Sequence, residues 1–188
     1  MKINIQKGGK RFSSPVQVRE FPNRDSTMII KNDAKPQLYV FAGPNGSGKS
    51  TFVDLIRKGS RVPILHINAD NIAEQMKLTA YEAALEAENQ RNAALVERKS
   101  FSVETVMSTY DKIEFLIKAK VLGYEIYLVF ITTQDPLINV RRVEDRVYKG
   151  GHDVPSDKTM SRYDKSMKLL PEALKLADIA RIYNNSFE

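Results

Sequence analysis

"GPNGSGKST" (43–51) decides how the rest of this chain is read. Gly43, Pro44, Asn45, Gly46, Ser47, Gly48, Lys49 and Ser50 fit G-x-x-x-x-G-K-[ST], the pattern of a phosphate-binding loop. At average residue usage, a chance match in a chain this long has odds of roughly one per cent or less. The flanks agree with the motif. "LYVFA" (38–42) is a short apolar run of β-formers, as a strand buried on both faces requires, and a helix is expected over 49–58. Glycines let backbone N–H groups converge on phosphate oxygens, and the helix amino terminus adds partial positive charge. Lys49 is expected to bridge the outer phosphates of ATP and Ser50 to ligate Mg²⁺, with Thr51 facing the core or ribose side.

Strands and helices alternate after the loop. "PILHINAD" (63–70) reads as a second strand ending at Asp70, followed by a helix over 79–99 and a strand over "SFSVE" (100–104). Asp111 and Glu114 form a capping-box pattern for a helix that Gly123 stops. "YEIYLVFIT" (124–132) is a strand, and Asp135–Pro136 opens a helix that runs to Gly150–Gly151. A helix from Asp157 carries Met160, Tyr163, Met167 and Leu170 as one core-facing stripe, broken and restarted by Pro171. "IARIYN" (179–184) is the last strand. Such alternation predicts an α/β fold of three layers, a parallel sheet flanked by helices.

Composition narrows the classes. No cysteine is present, which removes disulfides and thiolate metal sites and fits a cytoplasmic location. No apolar run approaches the roughly 18–20 residues that span a membrane, so no membrane role is expected. "MKINIQKGGKRF" (1–12) has no apolar stretch after its basic start and does not read as a secretory signal. Net charge is +6, but residues 1–36 hold eight Lys/Arg against three Asp/Glu. The excess therefore belongs to a basic extension (1–36) and not to the nearly neutral domain (37–188), which argues against a nucleic-acid partner for the domain. That extension reads as a solvated arm or a surface for an acidic partner, with an edge strand or hairpin left open.

Two carboxylates stand at predicted strand ends, Asp70 and Glu104. In a parallel sheet those ends lie on the same edge as the phosphate loop. A carboxylate there can take a proton from an attacking hydroxyl or orient it. Capping of a helix near Asn71 is a second role for Asp70, and an ion pair at the sheet edge is one for Glu104. Further on, Arg141, Arg142, Arg146, Lys149 and Arg162 surround the Gly150–Gly151 hinge, an arrangement suited to a cationic lid. The plainer reading is a solvated helix laced by Glu144 and Asp145. His152 reads as a loop hydrogen-bonder and His66, within a strand, as a core or interface residue. No N-K-x-D, LSGGQ-like or strand-terminal Asp-Glu motif is present, which sets aside GTPases and most motor or transporter ATPases.

Taken together, "FAGPNGSGKST", "INADNIA", "FSVETVMS", "RVEDRVYKGGHDVP", "RYDKS" and "YNNS" resemble the zeta toxin family, P-loop kinases of bacterial toxin–antitoxin modules. The resemblance spans about 38–186 and is to the compact branch. It implies a shikimate-kinase-like fold with a helical lid and ATP-dependent phosphorylation of a sugar hydroxyl on a nucleotide sugar, chiefly UDP-N-acetylglucosamine. By position, Asp70 resembles the catalytic base and Glu104 the ligand of the substrate hydroxyl. Arg146 and Arg162 match the lid arginines, Arg142 accompanies them, and Asn184 and Asn185 fall where related kinases contact adenine. Where the best-studied members carry threonine two places after the glutamate, this chain has Val106, with Thr105 as the nearest hydroxyl. An antitoxin covering the nucleotide site is the partner this resemblance implies. Two other classes are weighed against it: an ATP-dependent binding module and a polynucleotide kinase.

Overall fold

The computed structural model describes residues 6–7, 10–11, 35–58, 65–151 and 153–187. Readings placed on His152 and on the remainder of the extension before Lys35 lie outside the described residues. Within the extension, β1 (Gln6–Lys7) and β2 (Lys10–Arg11) pair antiparallel.

The domain is built on five parallel strands in the order β4-β5-β3-β6-β7: β3 (Gln37–Ala42), β4 (His66–Ile67), β5 (Phe101–Thr105), β6 (Glu125–Thr132) and β7 (Ile179–Asn184). Every neighbouring pair runs parallel, so each connection must cross over through a helix. Those helices are α1 (Lys49–Lys58), α2 (Ala69–Met76), α3 (Ala80–Val96), α4 (Asp111–Val121), α5 (Pro136–Tyr148) and α6 (Ser156–Leu176). The expected α/β architecture is therefore the observed one.

Strand periodicity divides the core in two. Leu38, Val40 and Ala42 of β3 point to one face, with Phe101, Val103, Ile126, Leu128 and Phe130, and meet side chains of α2, α3, α4 and α6. Tyr39 and Phe41 point to the other face and pack with Val129, Ile131 and Val53 of α1. Register then assigns the polar residues. Phe41 pairs with Glu104 and Tyr39 with Ser102, so these two side chains of β5 emerge on the α1 face, beside the phosphate loop.

Four expectations need correction. The second strand is short, because Asn68 caps α2: its side chain accepts the Asp70 N–H at 2.8 Å. Asp70 thus sits in the first turn of α2, neither ending a strand nor capping the helix. The Asp111–Glu114 capping box does not form either, since Tyr110 holds the N-cap position with no side-chain bond. The reciprocal pair occurs at Thr79 and Glu82 instead, at the start of α3. Nor does Pro171 break α6. Its ring lies on an exposed face, where water can satisfy the carbonyl that loses its donor, while Leu170 and Ala173 hold the opposite face in the core. Finally, the buried stripe of α6 is Thr159, Ser166, Leu170 and Ala173, and Met160 is 41% exposed. The small polar members seat the helix closely, with Ser166 Oγ donating to Val106 O at 2.7 Å.

Phe101 anchors the larger core. It is fully buried, with its ring edge-on to Phe115 (6.3 Å) and Tyr124 (6.0 Å). We expect Phe101→Ala to cost about 3–5 kcal/mol of unfolding free energy by denaturant titration. A loss below about 1 kcal/mol would contradict this packing.

Candidate active site

The phosphate loop leaves β3 at the point where the strand order reverses, with β5 and β4 to one side and β6 and β7 to the other. Its backbone is closely backed by protein. At Gly46 (φ 72°) a Cβ would lie 2.4 Å from Asn139 O, and at Gly48 (φ 92°) one would lie 2.5 Å from Asn185 Nδ2. Both positions therefore need glycine for conformation and for space. Asn139 and Asn185 brace the loop by hydrogen bonds, Asn139 Nδ2 to Asn45 O at 2.6 Å and Asn185 Nδ2 to Ser47 O at 2.9 Å. Ser47 is fully buried inside this cradle, and its Oγ has no protein partner.

Above the loop opens a cleft of about 960 Å³, large enough for a nucleotide and a second small molecule. Its floor holds Lys49, Ser50 and Thr51, one wall carries Asp70, Glu104 and Thr105, and the other carries Arg142 and Arg146. A recess of about 290 Å³ extends beside Glu104, lined by Arg91, Met107, Asp111, Lys112 and Phe115. Of the expected site residues, Gly43, Pro44, Ser47, Asn184 and Arg162 do not line the cleft. Asn184 turns away, its Oδ1 accepting the Ser186 N–H at 3.0 Å. Arg162 reaches the loop from behind, donating to Asn45 Oδ1 at 3.4 Å. Arg142 donates to Asn185 O at 2.8 Å and so ties the lid helix α5 to the segment after β7. The Thr105 hydroxyl accepts the Met107 N–H at 3.0 Å and keeps its own proton available.

Glu104 is held by three side chains at the cleft wall. Its Oε1 accepts from Asn68 Nδ2 at 2.8 Å and lies 3.2 Å from His66 Nε2, and its Oε2 accepts from Ser50 Oγ at 3.0 Å. Burial by itself would raise this carboxyl, but hydrogen bonds from His66, Asn68 and Ser50 outweigh it and hold the group below the ordinary carboxylate range. Asn68 serves both acids at once: Oδ1 fixes the first turn that carries Asp70, and Nδ2 fixes Glu104. Neither His66 nor Asn68 was singled out for this in the sequence, where they read as interior strand residues. The signal available was positional, since His66, on the strand paired with β5, shares the face of Glu104, and Asn68 follows two residues later.

Lys49 donates to Pro44 O at 2.7 Å. Desolvation pushes its ammonium down to about 8; Glu104 opposes the fall, Arg146 adds to it and Asp70 opposes it. For oxygen-seeking Mg²⁺, Ser50 Oγ and the adjacent Glu104 oxygen are chemically suitable, and the described residues contain no cluster of three His, Cys, Asp or Glu that could hold a metal alone. Mg²⁺ commonly takes its remaining ligands from phosphates and water.

The zeta toxin family profile matches residues 23–186, beginning inside the basic extension. The chain belongs to the zeta toxin family. An uncharacterized protein of Haemophilus influenzae is 29% identical over 145 residues, covering 74% of this chain and 99% of the relative. The fold is similar to that of the PezAT chromosomal toxin–antitoxin system of Streptococcus pneumoniae, at 20% identity over 80% of this chain and 68% of that one, with a TM-score of 0.58. It is also similar to the AvrRxo1-ORF1:-ORF2 structure with ATP, at 14% identity, 77% and 51% coverage and a TM-score of 0.60. Family membership, an intact phosphate loop and the acids gathered at its mouth make this zeta toxin relative an ATP-dependent kinase.

The depressed Lys49 carries a measurable consequence. As pH rises above about 8 the folded protein increasingly holds Lys49 neutral, whereas contact with polyphosphate favours the cation and draws a proton back. ATP binding at pH 8.5 should therefore take up a proton, read by calorimetry in buffers of different ionisation enthalpy, and the uptake should vanish at pH 6.5 and in Lys49→Ala. Buffer-independent heats at pH 8.5 would refute it. A second expectation concerns Asn68. Asn68→Asp retains the helix cap but replaces the donor to Glu104 with a like charge, so activity should fall at least about tenfold while the unfolding midpoint drops less than in Asn68→Ala.

Proposed function

We propose that the protein transfers the γ-phosphoryl group of ATP to a hydroxyl of a nucleotide sugar, UDP-N-acetylglucosamine or a close relative. The observation that carries this reading is the pair Asp70 and Glu104, held through one amide, Asn68, on the wall of a cleft floored by Lys49 and Ser50. A phosphate site with no further acids would serve binding alone. Two acids beside it suit an acceptor hydroxyl that must be oriented and deprotonated.

In this mechanism Glu104 accepts a hydrogen bond from the acceptor hydroxyl and aligns its oxygen with the γ-phosphorus. The acceptor oxygen forms its bond to phosphorus as the bond to the β,γ-bridging oxygen breaks, and the hydroxyl proton passes to Asp70. Lys49 bridges the outer phosphates, Arg146 and Arg142 offset charge on the transferring group, and Arg162 acts through the loop residue Asn45. Thr105 donates to the sugar. The loop backbone, including the Gly43 to Gly48 turn, holds the α- and β-phosphates. Ser50 would hold Mg²⁺, which when bound neutralises the polyphosphate charge.

An antitoxin protein that covers this cleft is the proposed partner, and the cytoplasm, which supplies ATP and nucleotide sugars, the proposed location. Among the described residues no helix is long and apolar enough to cross a membrane, which agrees with that placement.

The test is an acceptor screen read by mass spectrometry, with ATP, Mg²⁺ and a panel of nucleotide sugars. Wild-type protein should yield ADP and a phosphorylated sugar nucleotide. Asp70→Asn should reduce kcat by about 10²–10⁴ with ATP affinity within about twofold of wild type. Absence of any phosphorylated acceptor, or an Asp70→Asn variant as active as wild type, would sink this assignment.

A further inference from the structure

His66 has both ring nitrogens committed, and one of them meets Glu104, which lines the cleft. Pairing of β4 with β5 sets His66 opposite Ser102, so both side chains leave the sheet on the same face, and Glu104, two residues on, is the next to do so. His66 Nδ1 lies 2.9 Å from Ser102 Oγ and His66 Nε2 3.2 Å from Glu104 Oε1. The imidazole side chain is 3% exposed and the glutamate side chain 10%. With hydrogen on Nε2, the ring donates to Glu104 while Nδ1 accepts the Ser102 hydroxyl. That hydroxyl also faces Leu65 O, but at 3.4 Å, the weaker contact.

We propose that His66 is a positioning residue for acceptor phosphorylation, fixing the Glu104 carboxylate so that Oε2 faces the acceptor hydroxyl and Ser50. The proposal rests on the kinase reading, in which Glu104 orients that hydroxyl. Two donors on Oε1, from His66 and Asn68, pin one edge of the carboxylate and leave the other to the cleft. Asn68 alone does not suffice, because its Oδ1 is committed to the Asp70 N–H and its side chain cannot follow a swinging glutamate. The ring is itself held from behind by Ser102, a residue with no exposed surface. A merely space-filling histidine would need neither contact. On this strand the core-facing neighbour is Ile67, already packed, so His66 is on the opposite face and contributes chiefly through its nitrogens.

Reach separates this role from a structural one. In the full-length chain, His66→Gln retains an amide donor long enough for Glu104, His66→Asn keeps the amide but falls short, and His66→Phe fills the space without a donor. Using the acceptor found in the screen, His66→Asn and His66→Phe should lower acceptor kcat/KM about tenfold or more, with the ATP dissociation constant within about twofold of wild type. His66→Gln should stay within about threefold of wild type. Equal activity of the Asn and Gln variants overturns the proposal, as does a parallel loss of ATP affinity and unfolding midpoint in both. Should the Phe variant fail to fold, the Asn–Gln pair decides. Wild-type protein that binds ATP and phosphorylates no acceptor defeats the kinase reading and this proposal together, whereas an active wild type with a normal Asn variant defeats this proposal alone.

Discussion

Glu104 is a carboxylate taken largely out of water, and the arrangement around it explains why so much of the site has the residues it has. Burying an ionised acid costs several kcal/mol unless donors replace its hydration. Here three side chains from three elements do so: Asn68 following β4, His66 within it and Ser50 on α1. Hydrogen bonds to a charged group contribute about 1.5–3 kcal/mol each, enough together to offset that penalty. The same bonds bind β4, β5 and the start of α1 into one rigid corner. A group ionised and immobile before any ligand arrives meets the requirement for electrostatic preorganisation.

Strand order supplies the corner. Because β3 lies between β5 and β6, its carboxyl end is the place where crossovers diverge, and the phosphate loop occupies the gap. Gly43 N–H donates to Thr105 O at 3.2 Å, so the loop continues the β3–β5 pairing by one more bond. From the other side, the Asn185 N–H donates to Thr132 O at 2.7 Å and the Asn185 side chain reaches Ser47. The lid belongs to the same assembly, since Tyr163 OH donates to Thr133 O at 2.6 Å and Asn139 to Asn45 O. Loop, sheet edge and lid root are thereby one hydrogen-bonded unit.

What could be read from the chain alone followed the strength of local signals. The phosphate loop is dictated by residue types at fixed spacing, β3 and β6 by unbroken apolar runs, and the start of α5 by Asp135 and Pro136, where the Asp135 side chain accepts the Leu137 N–H at 2.8 Å. Local signals failed where two were in competition. "PILHINAD" is apolar enough to continue as a strand, but the Asn68 amide offers the backbone a cap and ends the strand at Ile67. Asp111 and Glu114 have the right spacing, yet Tyr110 takes the helical-entry position, and Pro171 is tolerated because tertiary packing overrides propensity. The partnership of His66, Ser102 and Glu104 had no local signal. It depends on which strand pairs with which, and only the sheet register reveals it.

In this cleft acids and cations are interleaved, with Glu104 and Asp70 among Lys49, Arg142 and Arg146. The central claim, that this geometry delivers phosphate to a hydroxyl and not to water, is tested most directly by single turnover in ¹⁸O-labelled water with saturating UDP-N-acetylglucosamine. Transfer to the sugar predicts a phosphomonoester free of solvent oxygen and no labelled inorganic phosphate above background. Labelled inorganic phosphate forming at the same rate with and without the nucleotide sugar would contradict the account.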